Sequence, residues 1–592
     1  MRNAFLFLGL AGLFLGWNLP NHYPLWTTFH SEWVAAFGTG LLFVGVLWPR
    51  SVVKSQRIAG AAGRAAGLLD AAPHPAGLRV PLPRAARAWL LVALLAPLQY
   101  AAGKLDFYGD ALLGFLYPLG VALAIYIGSL WAAQDGRAAV LRALFLSTLW
   151  AGLAAGGIAL WQWLRLPTAG WWAMELIGER PYGNFAQPNL YGLAMVLAIV
   201  SATALFEMRV LAHRASYYLL LLFFGFAMMI SESRASLVAV LAVSGFWLLT
   251  PSRAAARLRW YEVVLAVAVG AALHAGLADI EQALYLKAAV AREVLDVGPR
   301  EAIWAQFRAA IQAHPWVGYG FGQGVLALRE VSAGMAPGRN TIYAHNVALD
   351  LMTWIGVPLG LGLLAALGGW MLSWLRSSSS PELQAQRRFV FAAWLALAVQ
   401  SLLEFPFAHL FFLLPAAVLA GAISGPGPVA LTAVASAHVG RVPGASRWAV
   451  ALGALGGVLL ALTTWDYLQF EGEFRAIRFD KGRVGDLIVR EPHQGPVMLD
   501  QLAALNASAH YRITPGMAPV EIDQLARLAR RFHLLPTRVE YAKALALNGR
   551  RAEADAELQI LRGIYHPSLW LQIERDWLEW LAAQPTLVAA AP

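Results

Sequence analysis

Four short polar clusters interrupt an otherwise apolar chain, and each holds side chains able to bind an anion or move a proton. The first is Arg180-Pro-Tyr-Gly-Asn-Phe-Ala-Gln-Pro-Asn189, where Gln187 and Asn189 flank Pro188 at what reads as a helix start. Asn189 can cap that helix or face a ligand, whereas Gln187 has no capping task in the pattern. The second is Ser231-Glu-Ser-Arg-Ala-Ser236, a connection so short that Arg234 must lie at or inside the membrane boundary. Arg234 can snorkel to the interface or serve function, the default reading of an ionisable group at that depth. The third runs through Arg292, Asp296, Arg300 and Trp304 to His314-Pro-Trp-Val-Gly-Tyr-Gly-Phe-Gly322 and ends at Tyr343-Ala-His-Asn346. His345 can cap the next helix, bond a carbonyl or act as an acid–base group. The fourth is Gln400-Ser-Leu-Leu-Glu-Phe-Pro-Phe-Ala-His409. A carboxylate at membrane depth needs a cation beside it, so Glu404 reads as an arginine partner rather than a catalyst.

Other chemistries lack their residues. With no cysteine there is no disulfide framework, thiol nucleophile or cysteine-ligated zinc. The chain has no H-E-x-x-H, D-x-D, G-x-x-x-x-G-K or G-x-S-x-G motif, and no metal site is expected. Gly318-Tyr-Gly-Phe-Gly-Gln-Gly324 follows no evident strand and reads as a tight turn rather than a phosphate loop. Thr464-Trp-Asp-Tyr-Leu468 resembles the W-W-D-Y-G of asparagine-linked oligosaccharyltransferases, but its first Trp and its Gly are missing and it reads as chance.

The elements that must position these clusters follow from composition. Of 592 residues only 14% are charged and 59% are hydrophobic, against about 25% charged in ordinary soluble domains. The apolar residues come in runs of about 15 to 25, the length that crosses a bilayer. About thirteen such runs fall near 3–17, 33–48, 88–103, 111–132, 140–163, 188–206, 217–231, 236–250, 262–278, 347–375, 389–403, 409–424 and 448–465. The net charge of +10 is carried largely in loops, which argues for a membrane rather than a nucleic-acid partner. Loops after even-numbered runs hold Arg50, Lys54, Arg57, Arg214, Arg257, Arg376 and Arg387; the short loops after odd-numbered runs hold only Lys104, Arg165, Arg180 and Arg234. Even loops are therefore cytoplasmic, the N-terminus is inside, and all four clusters share the outer face.

The expected fold is an all-α polytopic membrane protein, with residues 1–465 as the transmembrane catalytic domain and 466–592 as a small outer helical domain. Within it, 49–87 reads as a flexible cytoplasmic connector and 279–346 as a large outer loop. In the tail, Val520, Ile522, Leu525, Leu528 and Phe532 have amphipathic-helix spacing. Tyr541 through Leu561 then reads as one tetratricopeptide-type helical hairpin, packed on the membrane part or binding the acceptor.

Taken together, these residues resemble the bacterial O-oligosaccharyltransferases of the PglL type, which group with the O-antigen ligases and the Wzy-type polymerases. The matching pieces are Gly183-Asn-Phe-Ala-Gln-Pro-Asn189, Ser233-Arg234, Arg300 to Trp304, Pro315-Trp-Val-Gly-Tyr-Gly320, Ala344-His-Asn346 and Leu403-Glu-Phe-Pro406. Leu19-Pro-Asn-His-Tyr-Pro-Leu-Trp26 and the soluble tail resemble the oligosaccharyltransferase branch. Two positions depart from the pattern: Phe405 stands where the family commonly has Tyr, and Gln400 where it often has His.

The resemblance implies a glycosyltransferase in the bacterial inner membrane with its active site facing the periplasm. It implies en bloc transfer of a glycan from undecaprenyl-diphosphate to Ser or Thr hydroxyls of periplasmic proteins such as pilin, with inversion and without a metal or other cofactor. Arg234 and Arg300 would neutralise the leaving diphosphate through two-pronged bonds, and His345 would take the acceptor's proton. Gln187, Asn189, Arg180, Tyr343 and Glu404 would bind or orient substrate. Transfer to lipid A core, or glycan polymerisation, would use the same chemistry with another acceptor. A lipid or glycan transporter is the reading from another class, but its polar groups should sit near the midplane.

Overall fold

The computed structural model describes residues 1–22, 25–48, 79–167, 170–250, 257–286, 300–335, 337, 340–376, 380–424, 444–481 and 497–584. Most of the 49–87 connector, together with Arg292 and Asp296, lies outside the described residues. The described chain is helical, apart from a two-residue parallel pairing of Arg79–Val80 with Gly444–Ala445.

Long apolar runs with no water to satisfy the backbone must close their hydrogen bonds internally, and a helix does so. Among the described residues six helices are long and apolar enough to cross a membrane: Phe29–Leu47, Tyr108–Asp135, Arg137–Trp163, Pro188–Glu207, Trp260–Ala283 and the Arg447–Phe479 stretch of Arg447–Lys481. Shorter apolar helices are Arg214–Met229, Arg234–Leu249, Val357–Ser373 and Leu410–Ser424. The chain is thus an all-α, multi-pass membrane protein.

Pro188–Glu207 forms the centre, buried almost throughout. It packs between Arg137–Trp163, Arg214–Met229, Arg234–Leu249 and Pro381–Ser401. Trp260–Ala283, by contrast, is nearly unburied and lies at the rim. Close backbone approach holds Tyr108–Asp135 to Leu410–Ser424. A Cβ on Gly128 would meet the Val418 carbonyl oxygen at 2.0 Å, and one on Gly421 would meet that of Ile125 at 2.0 Å. Only glycine permits that crossing.

Two runs read as single spans are interrupted. The run near 88–103 is Arg84–Ala93 followed by Leu95–Ala101; Pro97 cannot donate to the carbonyl four residues back. The run near 347–375 breaks at Gly356, φ +80°, into Val347–Ile355 and Val357–Ser373. The turn at 314–320 docks into this break. Tyr319 N–H donates to the Thr353 carbonyl at 2.8 Å, and Val357 N–H to that of Pro315 at 2.7 Å. Gly318, Gly320 and Gly322 all have positive φ, so the glycine-rich stretch is a turn, as its sequence suggested.

The region read as an outer loop holds two helices, Arg300–Ala313 and Gly324–Val331. Beyond Arg447–Lys481 come Asp500–Ser508, Pro519–Arg531, Leu535–Leu547, Arg551–Ile564 and Pro567–Ala582. The last four share a core that includes Leu525, Leu545, Leu561 and Trp577. Ile522, Leu525 and Leu528 are buried as their spacing required, but Val520, in the first turn, is exposed. Asp466 of the Trp-Asp-Tyr stretch accepts the backbone N–H groups of Met498 and Leu499, a structural task.

Candidate active site

Helix starts converge on one carboxylate. Glu404 sits in the loop after Pro381–Ser401 and is 1% exposed. Asn189 donates from Nδ2 to its Oε1 at 2.6 Å, and Gln187 from Nε2 to its Oε2 at 3.4 Å. Arg300, the first residue of its helix, ion-pairs with Oε1. His345 Nδ1 lies 2.8 Å from Oε2. Arg180 closes the arrangement, donating to the Ser231 carbonyl at 2.8 Å and to Asn189 Oδ1 at 3.2 Å.

The first and third clusters thus meet on Glu404 of the fourth, and Arg180 ties the second to the first. Arg234 opens the Arg234–Leu249 helix. The first turn of that helix lies against the start of Pro188–Glu207, where Ser236 Oγ and the Asn189 carbonyl are 3.5 Å apart. Helix N-termini carry partial positive charge and unpaired N–H groups. The starts of Pro188–Glu207, Arg234–Leu249, Arg300–Ala313 and Val347–Ile355 all lie at this end of the molecule and add positive charge around Glu404.

The helix caps resolve several ambiguities. Asn346, not His345, caps Val347–Ile355, accepting from Ala348 and Leu349 N–H groups at 3.0 and 3.3 Å. Asn189 makes no cap; its side chain is spent on Glu404 and Arg180. Ser233 caps the Arg234 helix by accepting from the Ser236 N–H at 3.3 Å. His345 is held at φ +55°, Ala186 at +57° and Glu232 at +47°. Such left-handed, non-glycine residues are costly and persist where surrounding contacts over-determine them. All three adjoin the residues that form the site.

Residues that sequence reasoning passed over supply those contacts. Buried Asp350 accepts the Ala344 N–H at 2.9 Å and so braces the turn that presents His345. Gln400, set aside because the family often has His there, donates to the Asn189 carbonyl at 2.8 Å and stitches two helices together. Gln162 accepts the N–H groups of Tyr182 and Gly183, and Asn184 donates to the carbonyls of Asn18 and Trp172. Polar residues inside apolar runs were the available signal, but their targets are distant backbone groups that no local pattern encodes. His22, from the N-terminal stretch, sits 2.6 Å from the Asn184 carbonyl and supports the same loop.

Aromatic rings wall the site. Phe405 stacks on Tyr343 at 5.2 Å and meets the His345 ring edge-on at 4.9 Å. The side chains of His345 and Arg300 each keep 19% exposure while that of Glu404 keeps 1%. A cation and an imidazole therefore retain an open side, whereas the carboxylate is committed to them. Burial pushes the Glu404 carboxyl up, but the His345 ring and the Arg300 guanidinium outweigh it and hold the carboxyl below its ordinary value. Among the described residues no group of three or more His, Asp or Glu side chains is arranged to hold a metal ion.

Comparison with known proteins bears directly on this geometry. An O-antigen ligase family profile matches residues 219–365, which include Arg234, Arg300 and His345. A profile described as the C-terminal part of a virulence factor membrane-bound polymerase matches residues 388–572, which include Glu404 and most of the C-terminal helices. A general O-oligosaccharyltransferase of Acinetobacter baylyi is 26% identical over 97% of this chain and 94% of its own. A ComP-specific O-oligosaccharyltransferase from the same organism is 37% identical over 126 residues, 21% of this chain and 22% of its own.

Proposed function

We infer from a chain that belongs to the O-antigen ligase group of membrane proteins, on its O-oligosaccharyltransferase side, that it is a glycosyltransferase acting on protein hydroxyls. Its donor is a glycan on undecaprenyl-diphosphate, and its acceptors are Ser or Thr residues of periplasmic proteins, pilin among them. The enzyme lies in the inner membrane with about thirteen crossings. The site and the tetratricopeptide-like C-terminal unit, residues 466–592, are on the periplasmic side of the 1–465 membrane domain.

One observation carries this reading: Glu404 holds His345 and Arg300 at once. With Nδ1–H donating to Glu404, the other ring nitrogen of His345 is left as the base. That nitrogen takes the proton of the acceptor hydroxyl as its oxygen bonds to the anomeric carbon. The bond from that carbon to the phosphate oxygen breaks, and the electron pair leaves with the diphosphate. Arg300 and Arg234 neutralise the charge that grows there, and such preorganised charge commonly lowers the barrier more than any other single effect. Glu404 stabilises the imidazolium formed at His345, and Gln187, Asn189, Arg180 and Tyr343 hold substrates in place. A single displacement inverts the anomeric centre.

The match to a polymerase C-terminal profile favours a second reading, in which the acceptor is another glycan. Mass spectrometry of periplasmic proteins from cells with and without the gene separates the two. Glycan-bearing Ser or Thr peptides that vanish with the gene support protein glycosylation. Unchanged proteins with shortened or unligated surface polysaccharide support the second reading.

A further inference from the structure

The reaction above gives the C-terminal helices no task, yet one of them, Arg551–Ile564, together with the residues that flank it, grips both segments that deliver the site. Gln306, buried along the helix that Arg300 opens, donates from Nε2 to the Gly563 carbonyl at 2.9 Å. On the next helix Arg329 reaches Glu557 through both terminal guanidinium nitrogens. Glu557 is buried and Arg329 partly so, their side chains 6% and 15% exposed. Gly563 lies so close to Ser332 that an added Cβ would meet the Ser332 carbonyl oxygen at 1.9 Å. Asn340, just before the turn that carries His345, donates to the His533 carbonyl at 2.5 Å and to the Tyr565 hydroxyl at 2.8 Å. The C-terminal unit is anchored on the membrane helices in turn, through Arg530 on Asp106 at 2.9 Å and Arg531 on Asp110 at 2.5 Å.

Arg300 and His345 arrive on segments that are not themselves apolar spans, so the bundle alone does not set the distance between them. Displacement by about 1 Å can cost about a hundredfold in rate when two groups must act on one reacting centre. We propose that the C-terminal helical unit is a positioning element of the catalytic centre, whose grip on Gln306, Arg329 and Asn340 sets Arg300 against His345. The proposal rests on the transferase reading and adds to it a device that acts on turnover rather than on acceptor capture.

The test uses full-length protein in detergent or nanodiscs, with kcat and the KM for donor and for acceptor measured separately. Glu557→Ala should lower kcat about tenfold to a hundredfold, with both KM values little changed. Glu557→Asp, which keeps the carboxylate, should recover most of the loss. If the loss falls on acceptor KM with kcat intact, the unit is an acceptor-docking surface and the proposal is wrong. Folded Glu557→Ala with wild-type kcat also overturns it. Should Glu557→Ala fail to fold, Asn340→Ala removes only the loop tether; lowered kcat there supports the proposal and unchanged kcat sinks it. Wild-type protein assayed in parallel keeps the two readings apart, since a wild type that transfers no glycan contradicts the transferase assignment itself.

Discussion

A carboxylate shared by a guanidinium and an imidazole sets what each can do. Glu404 fixes which nitrogen of His345 is free, because Nδ1 is occupied at 2.8 Å. His345→Ala should therefore lower turnover by about 10²- to 10⁴-fold while leaving donor binding nearly intact. Arg300→Lys keeps the charge but loses the planar fork, so it should weaken donor binding as well as turnover. Donor affinity on folded protein, beside turnover at saturating donor, separates the two; normal turnover in His345→Ala would end the base assignment. His345 and Arg300 hold the Glu404 carboxyl below its ordinary value. A carboxyl held below its ordinary value stabilises the fold above that range, and its contribution is lost as pH falls through the lowered value. At this scale the sequence was informative, since Arg300, His345, Glu404, Gln187 and Asn189 are polar residues stranded in apolar surroundings. Pairing was legible for Glu404 with an arginine, but not its simultaneous hold on His345, because 59 residues separate them in the chain. Asp350 and Gln400 were missed because they bond backbone groups, which carry no sequence signature.

Helices deliver these groups by their starts, so orientation of the spans decides whether the site can exist on one face. In the proposed topology, argued from arginine bias, the site and the C-terminal unit lie outside. The cysteine-free chain allows a clean test with single cysteines at positions the structure exposes. Ala333→Cys and Asp576→Cys should react with an impermeant maleimide in cells with a permeable outer membrane, whereas Ser216→Cys and Ser380→Cys should react only after lysis. Outside labelling of Ser216→Cys or Ser380→Cys would overturn the shared face. Helix existence was legible in the apolar runs, because runs of spanning length permit little else, but not for Arg300–Ala313 and Gly324–Val331 in the region read as a loop. Interruptions were not. The break at Gly356 exists because the 314–320 turn docks there, a contact that hydrophobic periodicity cannot register, although Gly356 and Pro358 were the available hint. Gly318 sits in the same joint, where an added Cβ would meet the Thr353 carbonyl oxygen at 2.4 Å.

The whole molecule reads as an enzyme that brings a lipid-borne leaving group and a protein hydroxyl to one face. Its cationic charge comes from arginines and helix starts, so the transferase should keep its activity in excess EDTA. Loss of activity that Mg²⁺ or Mn²⁺ restores would show that arginine chemistry is not sufficient. The C-terminal unit was legible as helices but not as a partner of the site. Its contacts, such as Arg329 with Glu557 and Gln306 with Gly563, join residues more than 200 positions apart. The central claim is that this chain moves a glycan from a polyprenyl-diphosphate to a protein hydroxyl through His345. It is tested most directly by reconstituting purified protein with a polyprenyl-diphosphate glycan and a pilin acceptor, and reading the intact mass of the acceptor. The account expects the mass of one glycan added at a Ser or Thr with wild-type protein, and next to none with His345→Ala. An unmodified acceptor with active wild-type protein and polymerised glycan, or full modification by His345→Ala, would contradict it.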